Sequence, residues 1–149
     1  MLNLTVYLAG EIHTDWRDRI TTGIQEHALP VTALSPVTDH EASDNVGVNI
    51  LGDEEKAEWK DRKGAGVNAV RTRTAIHKSD IVIVKFGEQY RQWNAAFEAG
   101  YAVALGKSLI VLHSSDLTHA LKEIDAVAMA VAESPEQVIE ILRYVSPAL

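Results

Sequence analysis

The chain has 149 residues, is 46% hydrophobic and carries a formal charge of −7; that length and apolar content suit one substantial core, so residues 1–149 are expected to form a single domain. The acidic balance argues against a nucleic-acid polyanion as partner and leaves small molecules, while the absence of cysteine excludes disulfides, thiolate catalysis and cysteine metal sites. No basic-then-apolar leader opens the chain and no apolar run approaches membrane-spanning length, so no membrane partner and a cytoplasmic location are expected.

Leu4 to Ala9 is apolar and β-rich, predicting a central strand that ends at Gly10 before the polar turn Glu11-Ile12-His13-Thr14. Thr14 is suited to cap a helix running to about Leu29, with Asp15 and Asp18 in its first turns, Trp16, Ile20, Ile24 and Leu29 available for packing, and Pro30 as the stop. Val31 to Leu34 predicts a short second strand. The segment from Ser35 to about Gly52, rich in acids and amides, is expected to be a long loop and the main functional one. Asp53 to Lys63 is charged and helical in pattern, with Trp59 as its large apolar residue, and Gly64-Ala65-Gly66 is expected to interrupt it before a further helix from about Val67 to Lys78. Within that helix Arg71-Thr72-Arg73-Thr74 is either an exposed face or a pair of donors for a phosphate or carboxylate.

Asp80 to Phe86 is a buried strand in pattern. After it, every side chain from Ala95 to Leu105 is apolar, small or aromatic except Glu98, which predicts a helix surrounded by protein. A carboxylate in such a place requires compensation, because desolvating its charge costs several kcal/mol or more. Asn94 as N-cap would set Glu98 about one turn inside the positive end of the helix and favour its ionised form. Gly106 suits the helix end, and Lys107 to His113 is another buried strand. Ser114-Ser115-Asp116 can cap a short helix from about Leu117 to Lys122, Ala126 to Val131 is the last expected strand, and Ser134 with Pro135 opens a helix to about Val145. Strands alternating with helices predict an α/β fold: a flavodoxin-like, doubly wound five-stranded parallel sheet in the order 2-1-3-4-5, helices on both faces.

In such a sheet the ligand crevice lies beyond the carboxyl ends of the strands. That would gather Gly10, Glu11 and His13 from the first turn, Asp39 and Asp44 from the long loop, and Gln92, Trp93 and Asn94 from the loop that begins at Gly87. Aromatic faces there can stack on a base or sugar while polar groups fix its orientation. Trp93 is the stronger stacking candidate, whereas Trp16 and Trp59 suit packing. There is no GxGxxG after a strand, no GxxxxGK[ST], no HExxH and no GxSxG. The six histidines form no recognisable metal spacing with acids, and His113 and His119 suit a strand end and a surface helix, so no metal and no other cofactor is expected.

Phe97-Glu98-Ala99-Gly100-Tyr101-Ala102 with Ala104-Leu105-Gly106-Lys107, preceded by Asp80 opening a strand and by Val6-Tyr7-Leu8-Ala9-Gly10, resembles the nucleoside 2-deoxyribosyltransferase superfamily. Val6 to His13, Trp16-Arg17, Ser43 to Gly47 and Phe86 to Asn94 resemble its YtoQ-like branch in particular. The resemblance implies that Glu98 is a nucleophile attacking the anomeric carbon to form a glycosyl-enzyme, that Tyr7 orients its carboxylate, and that the partner is a nucleoside or nucleotide. It also implies a homo-oligomer, dimer or larger, with sites completed across an interface. Ala95, Ala99, Gly100 and Ala102 would let the helix pack closely on a symmetry mate or on its own sheet.

The chain departs from the superfamily at two carboxylates that handle the leaving base. Thr72, eight residues before Asp80, and Gln92, six before Glu98, stand in their places, and neither can protonate a departing base as a carboxyl group can. Asp39, Asp44, Glu11 and His13 are the remaining candidates for that proton. Two functions are therefore expected to compete: cleavage or transfer of an N-glycosidic bond through Glu98, as a deoxyribosyltransferase or N-glycoside hydrolase, and non-catalytic binding of a nucleotide or nucleoside derivative, with Glu98 accepting hydrogen bonds from a ribose.

Overall fold

The computed structural model describes residues 3–146; Met1 and Leu2, part of the opening stretch considered for a leader, lie outside the described residues, as do residues 147–149. Strands β1 (Leu4–Gly10), β2 (Val31–Leu34), β3 (Ile81–Lys85), β4 (Ser108–Leu112) and β5 (Ala130–Ala132) form one parallel sheet in the order β2-β1-β3-β4-β5. The helices are α1 (Trp16–Glu26), α2 (His40–Leu51), α3 (Ala57–Lys78), α4 (Trp93–Ala104), α5 (Lys122–Val127) and α6 (Pro135–Val145). No helix among the described residues is long and apolar enough to cross a membrane.

Alternation along the strands builds two cores. Val6 and Leu8 point into one with Ile81 and Ile83, closed by Trp16, Ile20 and Ile24 of α1 and Val138 and Leu142 of α6. Tyr7 and Ala9 point the other way, with Val82 and Val84, against Ile76 of α3 and Ala95, Ala99 and Ala102 of α4. Because the central strands are covered on both faces they read as continuous apolar runs. Each fully buried valine among them contributes about 1.5–3 kcal/mol by leaving water.

Several local expectations are corrected. The segment from Ser35 to Gly52 is not a structureless loop: it contains α2, whose cap is Asp39, its carboxylate accepting from the Ala42 amide at 3.0 Å. Nor does Gly64-Ala65-Gly66 break a helix, since α3 runs unbroken through it. The glycines serve a crossing instead: a Cβ built on Gly47 of α2 would stand 2.3 Å from the Gly64 nitrogen, so the two helices approach backbone to backbone. Thr14 does not cap α1, which begins at Trp16, because its amide and hydroxyl donate to the Glu11 carboxylate. Helix α4 starts at Trp93 with Gln92 in the cap position, so Asn94 lies inside it.

Helix α4 is also not surrounded by protein. It buries only its alanine stripe and leaves Trp93 73% and Phe97 61% exposed. Near the carboxyl end, Ser115–Leu117 is a 3-10 turn, Ala126 belongs to α5, and the last strand is the shorter Ala130–Ala132. His119 lies in an exposed turn rather than on a helix. His113 is more than a strand end: its Nε2 meets the Asp125 carboxylate at 2.9 Å and its Nδ1 the Ser114 carbonyl, tying β4 to α5.

Candidate functional site

The carboxyl end of β1 is clamped before it turns. Gly10 adopts φ +112°, and a Cβ there would fall 2.1 Å from the Lys85 carbonyl oxygen of β3, so the position admits glycine alone. The Glu11 amide donates to that same carbonyl at 3.0 Å. Arg17, on the first turn of α1, reaches back and donates to the carbonyls of Leu8, Gly10 and Glu11, while the Trp16 indole donates to Glu11. The Arg17 guanidinium is buried, which lowers its pKa from the ordinary arginine value; Tyr7, Glu11 and Glu98 act in the opposite direction.

Glu98 sits half-buried on α4, and burial pushes its pKa up to about 7, with the charge of Arg17 pulling the other way. This corrects the expectation that the helix end keeps it ionised: α4 begins five residues before Glu98, beyond the first turn where the dipole acts strongly, and desolvation prevails. Beneath it Tyr7, 1% exposed, has a hydroxyl with no hydrogen-bond partner. Burial first, then the neighbouring Glu98 charge, raise the Tyr7 pKa to about 12, against smaller opposing effects of Thr72, Arg17 and Arg71. The phenol therefore keeps its proton; Thr72 is its hydroxyl neighbour, but no group among the described residues meets it in hydrogen-bond geometry, so its proton is available to the Glu98 carboxylate whose charge it feels.

Above these two residues lies a crevice of about 690 Å³, a volume suited to a small organic ligand. Gly10, Glu11, His13, Asp44, Gln92, Trp93, Asn94 and Glu98 all line it. Asp39 does not; it caps α2. Three of the lining residues already have partners. The Glu11 carboxylate accepts from the Thr14 hydroxyl at 2.7 Å, the Asp44 carboxylate meets His40 at 2.9 Å, and the Gln92 side-chain oxygen accepts from the Gly87 amide at 3.0 Å, bracing its own loop. The His13 ring lies 4.6 Å from that of Tyr90. Among the described residues no group of three or more His, Asp or Glu is placed to hold a metal ion. A smaller cleft of about 390 Å³ between α1 and α6 is lined mainly by charged side chains and holds the Arg19–Glu136 ion pair.

Sequence reasoning missed Arg17 and Asn68, and it placed Tyr90 and His40 in the loops of the crevice without giving either a role; Tyr90, His40 and Asn68 all line it. Only Arg17 carried a signal: an arginine in the first turn after a strand end is placed to return to that strand's orphan carbonyls. Tyr90 and Asn68 depend on how α3 and the loop after β3 are folded.

Against known proteins, the chain matches the family model described as Nucleoside 2-deoxyribosyltransferase YtoQ over residues 7–146. It is 42% identical over 143 residues to the YtoQ protein of Bacillus subtilis (strain 168), itself described as uncharacterized, covering 96% of this chain and 97% of that one. Among solved structures it is similar to a conserved protein from Enterococcus faecalis V583 (TM-score 0.65, 12% identity, 96% of this chain and 99% of that one). It is also similar to a 2-deoxyribosyltransferase from Bacillus psychrosaccharolyticus (TM-score 0.54, 21% identity, 91% of this chain and 90% of that one). At those identities the two structures speak for the fold alone.

Proposed function

The chain belongs to the nucleoside 2-deoxyribosyltransferase YtoQ family, and from that premise we propose that its crevice cleaves or transfers the N-glycosidic bond of a nucleoside or nucleotide, with Glu98 as nucleophile. The observation that carries this is the pairing of a half-buried carboxyl whose pKa is raised to about 7 with a buried, partnerless Tyr7 hydroxyl under the crevice floor. In its ionised form Glu98 attacks the anomeric carbon; the carbon–nitrogen bond breaks, its electron pair leaves with the base, and the base nitrogen takes a proton. The glycosyl ester is then opened at the same carbon by water or by a second base, which frees the carboxylate. Tyr7 donates its idle proton to the Glu98 oxygen that is not attacking and fixes the carboxylate plane.

The leaving-base proton is assigned to His13. Asp39 caps α2 and is not among the crevice-lining residues, the Glu11 carboxylate is held by Thr14, and that of Asp44 is held by His40. His13 lines the crevice on the turn that follows Gly10 and is steadied by the Tyr90 ring. The exposed Trp93 and Phe97, one helical turn apart on the crevice rim, support a homo-oligomer in which a second copy covers them.

Incubation with a panel of deoxynucleosides and nucleotides, read by chromatography of the released base, tests the proposal. Turnover that disappears in Glu98→Gln supports it, and wild-type rates in that variant would end the nucleophile assignment. A non-catalytic binding module is the second function, favoured by one observation: Thr72 and Gln92 occupy the leaving-base positions, and Gln92 is committed to its own loop. Saturable binding with no base released from any member of the panel would decide for it.

A further inference from the structure

The chain holds 14 Lys and Arg against 21 Asp and Glu, so arginines gathered in one crevice run against its overall field. Arg71, Arg73 and Arg91 all line it, and none of them is in an ion pair among the described residues. Four acids share the crevice, Glu11, Asp44, Asp61 and Glu98, yet among the described residues none forms an ion pair with an arginine: Glu11 accepts from Thr14, Asp44 meets His40, and burial holds Glu98 partly protonated near neutral pH. The three arginines differ in what they can reach. Because α3 is unbroken, Arg71 and Arg73, two residues apart, leave the helix in different directions although both line the crevice. The Arg73 guanidinium lies 5.8 Å from the centre of the Tyr101 ring on α4.

Arg71 makes one long hydrogen bond, 3.3 Å from a terminal nitrogen to the Ser35 carbonyl, and its other N–H donors have no acceptor among the described residues. Its charge acts on the Tyr7 hydroxyl, next to Glu98. The unused guanidinium lines the same crevice as Glu98, the residue that addresses the anomeric carbon. Its planar fork matches the oxygens of a phosphate and can take two of them at once.

We propose that Arg71 holds a phosphate on the sugar, which makes the substrate of this crevice a nucleoside 5′-monophosphate rather than a free nucleoside; this rests on the crevice taking a nucleoside in the orientation given above. The test is calorimetry on the full chain with 2-deoxyribose 5-phosphate against 2-deoxyribose, and with nucleosides with and without the 5′-phosphate. The phosphorylated member of each pair is expected to bind at least ~10-fold more tightly, the effect of one good charge-assisted contact. Arg71→Gln, exposed and compatible with the fold, should abolish most of that preference, and Arg71→Lys should keep part of it. Arg19→Gln removes a positive charge outside the crevice and should leave it intact. No preference in the wild type, or a preference undiminished in Arg71→Gln, would overturn the assignment. A phosphate preference without base release would sink the proposed chemistry and leave the phosphate site standing; base release from nucleosides with no phosphate preference would do the reverse.

Discussion

Replacing Glu98 with glutamine should stabilise the protein by an amount that grows as pH rises from about 4.5 to about 7 and is complete above that. Burial raises the Glu98 pKa from the ordinary 4.5 to about 7, so between those values the native state keeps a proton that the unfolded chain has lost. Native Glu98 therefore binds more protons than unfolded Glu98 in that window, and stability falls as pH rises through it. The shift of about 2.5 units corresponds to about 3 kcal/mol at 1.36 kcal/mol per unit, and the solvent that still reaches this half-buried group screens part of it, leaving about 2 kcal/mol. Glutamine has nearly the shape and helix propensity of the protonated acid, so the variant lacks this penalty and little else changes. Urea unfolding of both proteins at pH 4.5 and pH 8.5 reads the effect directly: near-equal stability at the lower pH, and an advantage of about 2 kcal/mol for Glu98→Gln at the higher, or roughly 4–8 °C in melting temperature for a chain of this size. An offset of the same size at both pH values would refute the reasoning, since a packing effect does not titrate.

The same pKa predicts that kcat/KM rises with pH through about 7, because the attacking carboxylate must be ionised. Tyr7→Phe should displace that limb and lower the rate by roughly 10-fold while changing stability by less than about 1 kcal/mol, as its hydroxyl has no partner to lose; an unchanged pH profile and rate would remove Tyr7 from the mechanism. Asp39→Ala should cost about 1 kcal/mol through loss of the α2 cap, with turnover unchanged, and a large loss of kcat would return Asp39 to the site. Light scattering at micromolar concentration should give a dimer or larger assembly that Trp93→Glu weakens; a monomer mass with ligand binding intact would leave the exposed Trp93 and Phe97 without the cover assigned to them.

The sheet was legible because its central strands are buried on both faces, so Ile81 to Val84 and Leu109 to Leu112 appear as unbroken apolar runs that few other structures accommodate. Glu98 was legible for the converse reason, as one acid in an apolar helix. Helix α2 was not legible, since it packs chiefly on α3 through the Gly47–Gly64 crossing and leaves most of its residues at least partly exposed, which gives it no apolar stripe to detect. The same crossing explains the misread Gly64: a glycine required for close helix contact is indistinguishable, in sequence, from one that ends a helix. The start of α4 was placed two residues late because Asn94 is the better intrinsic cap, whereas tertiary structure uses Gln92, whose side chain closes the preceding loop on Gly87. Which carboxylates are free could not be read at all. Glu11, Asp39 and Asp44 look alike in the sequence, and only their partners Thr14, Ala42 and His40 separate them.

The central claim is that Glu98 becomes covalently bonded to the sugar. Intact-protein mass spectrometry after rapid acid quench, during incubation with nucleosides and their 5′-monophosphates and followed by peptide mapping, tests it most directly. The account predicts a mass gain of one deoxypentosyl or deoxypentosyl phosphate group, located on the peptide containing Glu98 and absent from Glu98→Gln. Base release at full rate with no adduct at any quench time, or an adduct on another residue, would contradict it.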